Sequence, residues 1–147
     1  MPYWSVVEGY SGTALSIKLG IKETSTVVVL HAPTTFVLEV PNAVSVRRQM
    51  KGRADVVLAF FTRSARLAQQ IEAMGTMIVP SGGLWIAWPK KVSKVATDMT
   101  DHVVRDLALP LGLVDNKVCA VDATWTGLRL VWRLSAREQT KNENASS

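Results

Sequence analysis

The sequence predicts an α/β fold in which a mostly parallel sheet, covered on both faces, ends in an antiparallel β-hairpin. Three observations lead there. Residues 26–32 (TVVVLHA), 54–61 (ADVVLAFF) and 84–88 (LWIAW) are continuous apolar runs rather than alternating ones, the pattern of strands buried on both sides. Between and after them the period turns helical: Leu67, Ala68, Ile71 and Met74 share one face, as do Val103, Val104, Leu107 and Leu111. Near the end, Leu128, Leu130 and Trp132 alternate with Arg129, Val131 and Arg133, the mark of a strand with one exposed face. Strands separated by helices need crossovers that place helices on both faces, so the architecture expected is a Rossmann-like three-layer sandwich.

The elements follow in order. Ser11 is placed to cap a short helix bearing Leu15 and Leu19, with Gly20 in the left-handed position after it. The first strand is stopped by Pro33. Thr34 or Thr35 then opens a short helix through Phe36, Val37 and Leu38, ended by Pro41 and Asn42 before a weaker strand at residues 43–46. The seven residues from Arg47 to Arg53 are too few for a crossover helix, so this half of the chain is abbreviated or differently threaded.

After the second strand a helix begins at Ser64 and is expected to end near Gly75. Pro80-Ser81-Gly82-Gly83 is turn chemistry leading into the third strand, which Pro89 stops. Thr100 caps the next helix, Asp101 lies near its positive end, and Gly112 closes it. Residues 117–122 and 128–134 form the hairpin arms, joined by a turn at 123–127, and the second arm is expected at the sheet edge.

At 147 residues the chain suits one domain, expected over residues 1–137, with 138–147 (EQTKNENASS) as a disordered polar tail. Its apolar runs fall far short of the ~20 residues that span a bilayer. No secretory signal is visible, and a single cysteine, Cys119, forms no internal disulfide, so a cytoplasmic setting is expected. Charge is uneven: residues 47–94 carry nine Lys or Arg against two acids. Such a group is either a solvated rim or a place for an anion.

Two resemblances add to this reading. The succession ADVVLAFF, helix, VPSGGLWIAW, helix and hairpin, over about residues 54–134, resembles the C-terminal half of class I S-adenosylmethionine-dependent methyltransferases. In that superfamily a glycine-rich loop follows the first strand and an acidic residue ends the second. Here those places hold His31-Ala32-Pro33-Thr34-Thr35 and Val46-Arg47-Arg48, so neither feature is present. Residues 9–13 (GYSGT), LWIAWPKK, Ala96-Thr97-Asp98 and GLVDNKVCAVDATWTGLRLV (112–131) together resemble a family of small actinobacterial-type bacterial proteins of unknown function. That resemblance implies the fold and a bacterial cytosolic setting, and it brings no catalytic residues.

In open α/β sheets ligands bind beyond the carboxyl ends of the parallel strands. Those ends hold His31, then Thr62 and Arg63, then Trp88, Lys90 and Lys91. The ligand-binding set read from the sequence is Trp88, Lys90, Lys91, Asp98, Asp115, Asn116 and Lys117, the last three joining only if their strand runs antiparallel to its neighbours. Lysines and a helix start at Thr100 suit a phosphate or carboxylate, with Trp88 as a stacking surface. Structural salt bridges and turn contacts are the competing account of the same residues.

Cys119 reads as a small buried hydrophobe, and His31 and His102 share no ligand spacing with other donors, so no metal site, cofactor or catalytic residue is assigned. The leading expectation is a noncatalytic module for a small anionic metabolite or nucleotide. A homo-oligomeric or protein-interaction module using Trp125 comes second, and a divergent transferase third. Nucleic acid ranks last, because the basic residues lack interleaved exposed aromatics.

Overall fold

The computed structural model describes residues 14–134. Strand β1 (Thr26–Leu30) is the TVVVL run, with four of its five residues buried. It ends because His31 turns into the left-handed region at φ 59°, a conformation that no strand continues through. β2 (Ser45–Arg47) is a three-residue edge strand, and β3 (Ala54–Phe60) and β4 (Ile78–Pro89) are the two long apolar strands. β5 (Leu113–Ala120) and β6 (Trp125–Trp132) form the hairpin. The six strands form one sheet in the order β2-β1-β3-β4-β6-β5. Pairs from β2 to β4 are parallel, and β6 runs antiparallel to both β4 and β5. Five strands therefore point one way and β6 alone is reversed, which makes the sheet a Rossmann-like, mostly parallel one with an antiparallel hairpin.

Period-two alternation divides β4 between two cores. Leu84, Ile86 and Trp88 face α2 (Ser64–Met77) and α3 (Asp101–Ala108), joined by Leu67, Ile71, Met74 and Val104. Trp85 and Ala87 face the other side, where α1 (Leu15–Lys18) and the irregular stretch between β1 and β2 supply Leu19, Phe36 and Val44. Among the described residues, the third layer is one helical turn and extended chain. A four-residue helix is far too short to be stable alone. It is held by Leu19, which is fully buried, and by the Trp85 indole, whose Nε1 donates to the Leu19 carbonyl at 3.0 Å.

Several expectations change. No helix forms at residues 34–38: the Phe36 amide closes a turn on the Pro33 carbonyl, and the Phe36 ring packs edge-on against Phe60 with centroids 4.9 Å apart. A threonine and valine run has little helix propensity to oppose that anchor. The link from β2 to β3 is abbreviated, with Gly52 at φ 78° and the Arg47 guanidinium folded back to donate to the Arg53 carbonyl. α2 ends at Met77, close to Gly75 as expected, and a Cβ at Gly75 would stand 3.3 Å from Leu113 and Trp132. Residues 80–83 belong to β4 as a bulge: β3 advances from Ala54 to Val56 while β4 advances from Ile78 to Gly83. The sheet edge falls to β5, and β6 is internal. The expected cap at Ser11 and the polar tail lie outside the described residues. The α3 reading holds in detail: the Thr100 hydroxyl accepts from the Val103 amide at 3.2 Å, and Gly112, at φ 95°, closes the 3-10 turn Leu109–Leu111 that extends the helix.

Replacing Trp85 by Phe removes the indole donor that reaches the Leu19 carbonyl from the sheet and leaves that carbonyl buried. A loss of about 2–4 kcal/mol in urea unfolding is expected, with α1 amides losing hydrogen-exchange protection first. A change under about 0.5 kcal/mol would contradict this role.

Candidate functional site

The carboxyl-end rim, where the sequence places the site, is built from groups that already serve one another. Lys90 donates from Nζ to the Asp122 carbonyl at 2.7 Å, and its amide donates to the Thr124 carbonyl at 2.8 Å. It pins the hairpin turn. Asp98 receives the Ser64 amide at 2.7 Å and the Ser64 hydroxyl at 2.6 Å, so this carboxylate caps the start of α2 from another part of the chain. The Ser64 side-chain and backbone hydrogen bonds hold the Asp98 carboxyl below the usual aspartate range. Thr97 Oγ1 donates to the Thr62 carbonyl at 2.7 Å, strapping the same loop down.

Trp88 is buried with the helix-side core and presents no stacking face. Lys91 is exposed at the start of the 3-10 turn Lys91–Ser93. Where the chain divides between β1 and β3, Phe36, Phe60 and Trp125 form an aromatic row, the last two with centroids 5.1 Å apart. Trp125, expected in the hairpin turn, begins β6 opposite Pro89 and rests edge-on against Phe60. His31 leans over this junction, edge-on to Phe61 at 5.3 Å, with Nε2 2.7 Å from Gln70 Oε1.

Asp115, Asn116 and Lys117 do not join the rim. β5 is antiparallel to β6, but β6 is itself reversed, so β5 runs parallel to β4 and its amino half lies away from the carboxyl ends. Leu130 and Arg129, the partners of Asp115 and Lys117, are level with Leu84 and Trp85, three to four residues below Trp88. Asp115 accepts from Arg105 Nε at 3.1 Å, and Arg105 also holds Asp101 at 2.6 Å, which ties α3 to β5.

Asn116 and Lys117 have a different setting. The register shift between Asp115 and Lys117 makes Asn116 the extra residue of a bulge. Together with Lys18, Leu19, Gly20 and Arg129 they line an open depression of about 190 Å³ on the α1 side of the sheet. Lys117 donates to the Lys18 carbonyl at 3.2 Å, and Arg129 Nη1 donates to Asn116 Oδ1 at 3.4 Å. Lys117 and Arg129 are direct cross-strand partners. Like charges in that position destabilise a sheet, and Lys18 adds a third cation.

Cys119, two residues along, has its thiol pushed up by burial, against the pull of Lys18 and Lys117. It fills the α1-side core as a small hydrophobe. Lys18 and Arg129 were not among the residues chosen from the sequence. The available sign was Gly83, a glycine inside an apolar strand, which marks close approach by another group.

No family model matches the chain. No curated protein matches it in sequence. Solved structures similar to it include the magnesium protoporphyrin IX methyltransferase of Synechocystis PCC 6803, at 12% identity and a TM-score of 0.48, over 63% of this chain and 52% of that one. The ribosomal protein L11 methylase of Lactobacillus delbrueckii subsp. bulgaricus is similar at 9% identity and 0.49, over 81% and 77%. Human N-acetylserotonin methyltransferase is similar at 12% and 0.49, over 73% and 40%. The chain spans about half the length of the first of these. Likeness of this degree assigns no activity. Among the described residues, no helix is long and apolar enough to cross a membrane.

The Asp98 cap gives stability a defined pH dependence. Its folded-state pKa is lowered, so its contribution is complete above the ordinary aspartate value and is lost as pH falls through the folded value. Urea midpoints for wild type and Asp98→Asn should differ at neutral pH, and the difference should shrink as pH falls below the ordinary aspartate value. A gap that does not change with pH would show that the carboxylate charge does not matter.

Proposed function

We propose that the chain is a small-anion-binding Rossmann-like module whose ligand sits in the depression between α1 and the hairpin, away from the carboxyl-end rim. The observation that carries this reading is the facing pair Lys117 and Arg129, with Lys18 beside them, around one concavity. An anion between Lys117 and Arg129 would offset the repulsion of these cross-strand neighbours. Lys117 uses one of its three ammonium donors on the Lys18 carbonyl, which leaves donors for a ligand. The rim supports the reading less well, since Lys90 and Asp98 bond to other parts of the fold and Trp88 is buried.

A divergent transferase is the second reading, favoured by the point where the chain divides between β1 and β3 and by His31, held there at φ 59°. Backbone held in a sparsely populated region clusters at functional sites. Against the superfamily's usual cofactor stand the glycine-free residues 31–35 and the arginines after β2.

Calorimetric titration with inorganic phosphate at low ionic strength separates these readings. Lys117→Ala should weaken binding about tenfold, the loss of one charge-assisted hydrogen bond, while Lys91→Ala leaves it unchanged. Absence of phosphate binding to the wild type, or an equal loss from Lys91→Ala, contradicts the depression as the site. A thermal shift with S-adenosylmethionine, abolished by His31→Ala, would favour the transferase.

A further inference from the structure

The loop between β2 and β3 carries a run of charge that the rest of the fold does not use. Arg47 ends β2, and Arg48, Lys51 and Arg53 follow it. The nearest acids along the chain are Glu39 and Asp55, and the Asp55 carboxylate is committed to the Thr26 amide at 2.7 Å. Residues 48–53 are all exposed. Among the described residues, the side chains of Arg48, Lys51 and Arg53 have no hydrogen-bond or ion-pair partner.

Arg47 itself is turned inward. Its Nη2 donates to the Arg53 carbonyl, and a Cβ at Gly52 would strike Nη1 and stand 3.1 Å from Cζ. Gly52, at φ 78°, leaves that space open, and the Lys51 amide closes on the Gln49 carbonyl at 2.8 Å. Arg47 Nε is buried without a hydrogen-bond partner among the described residues. Burying part of a charged donor without an acceptor is costly, and a loop that served only to keep a sheet edge wet would let this arginine extend into water. Held beneath the loop, it fixes the shape on which the three remaining cations stand.

We infer that residues 48–53 form a docking surface for the phosphate backbone of a nucleic-acid duplex. A duplex carries one negative charge per about 1.7 Å of its axis, so a short loop with three cations meets several phosphates at once. Contacts to phosphate carry no base information, so this binding is independent of sequence. Single strands are held by stacking on aromatic side chains, and residues 47–53 contain none. The absence of interleaved aromatics, which counts against nucleic acid in the sequence, here counts against the single strand. Lipid surfaces are held by a longer basic run or an apolar anchor, and Met50 is the loop's one apolar side chain. The surface is separate from the depression, because β2 and β5 are opposite edges of the six-stranded sheet, roughly 24 Å apart at the usual strand spacing. It stands whether or not an anion binds there.

The test measures binding of the full chain to a fluorescent DNA duplex of about 20 base pairs, by anisotropy, from about 20 to about 150 mM salt. The dissociation constant should lie in the sequence-independent range of roughly 10⁻⁴ to 10⁻⁶ M, and log affinity should fall against log salt with a slope of about −2.7, three phosphates at about −0.9 each. Each of Arg48→Ala, Lys51→Ala and Arg53→Ala should reduce that slope by about 0.9. Lys94→Ala, which removes an exposed cation after β4, should leave it unchanged. Gly52→Ala keeps every charge but displaces Arg47, and should weaken duplex binding several-fold.

No duplex binding at about 20 mM salt, or an equal loss of slope in Lys94→Ala, overturns the surface. A single strand of the same length bound more tightly overturns the duplex form. Phosphatidylserine vesicles that hold the protein at salt concentrations where the duplex is released overturn it in favour of a lipid. Unchanged affinity in Gly52→Ala overturns the part given to the fixed loop.

Discussion

Strand β4 is buried on both faces, and the strand that covers its outer edge, β6, runs the opposite way. Most of the molecule depends on that pairing. Reversal of β6 places Trp125 beside Pro89 at the carboxyl-end rim and Arg129 beside Trp85 at mid-sheet. It also makes β5 parallel to β4, which carries Asp115, Asn116 and Lys117 away from the rim, the first toward α3 and the other two toward α1. With β6 parallel instead, the lysines at 90 and 91 and the polar run at 115–117 would occupy quite different relative positions.

The rim and the depression show two ways of handling charge. At the rim, each of Lys90 and Asp98 is matched to a backbone or hydroxyl group of the fold, and the result is a fastened set of loops. Aromatic rings fill the junction above β3. In the depression, cations of three elements face one another across a bulged strand pair, and two of them are direct neighbours in the ladder. The first arrangement stabilises the fold by itself. The second is where the proposed anion would lie.

Strong local signals were legible in the sequence. The buried strands at residues 26–30, 54–60 and 84–88, the Thr100 cap and the Gly112 stop all follow from burial, capping and left-handed backbone, which depend on near neighbours. Local pattern is less secure where tertiary contact decides: residues 34–38 stay irregular because Phe36 is drawn onto Phe60. The site was partly legible. Asn116 and Lys117 were chosen, but for a place at the rim that strand direction rules out. Lys18 and Arg129 are 111 positions apart and look like ordinary solvated residues until the hairpin lies beside α1.

The central claim is that the ligand site lies on the sheet face between α1 and the hairpin, and a map of backbone amide shifts during a phosphate titration tests it most directly. The account predicts that the largest shifts fall at Gly20, Asn116, Lys117 and Arg129, with those of His31, Thr62 and Lys91 unmoved. Shifts confined to His31, Thr62 and Lys91 would contradict it and return the site to the carboxyl ends of the strands.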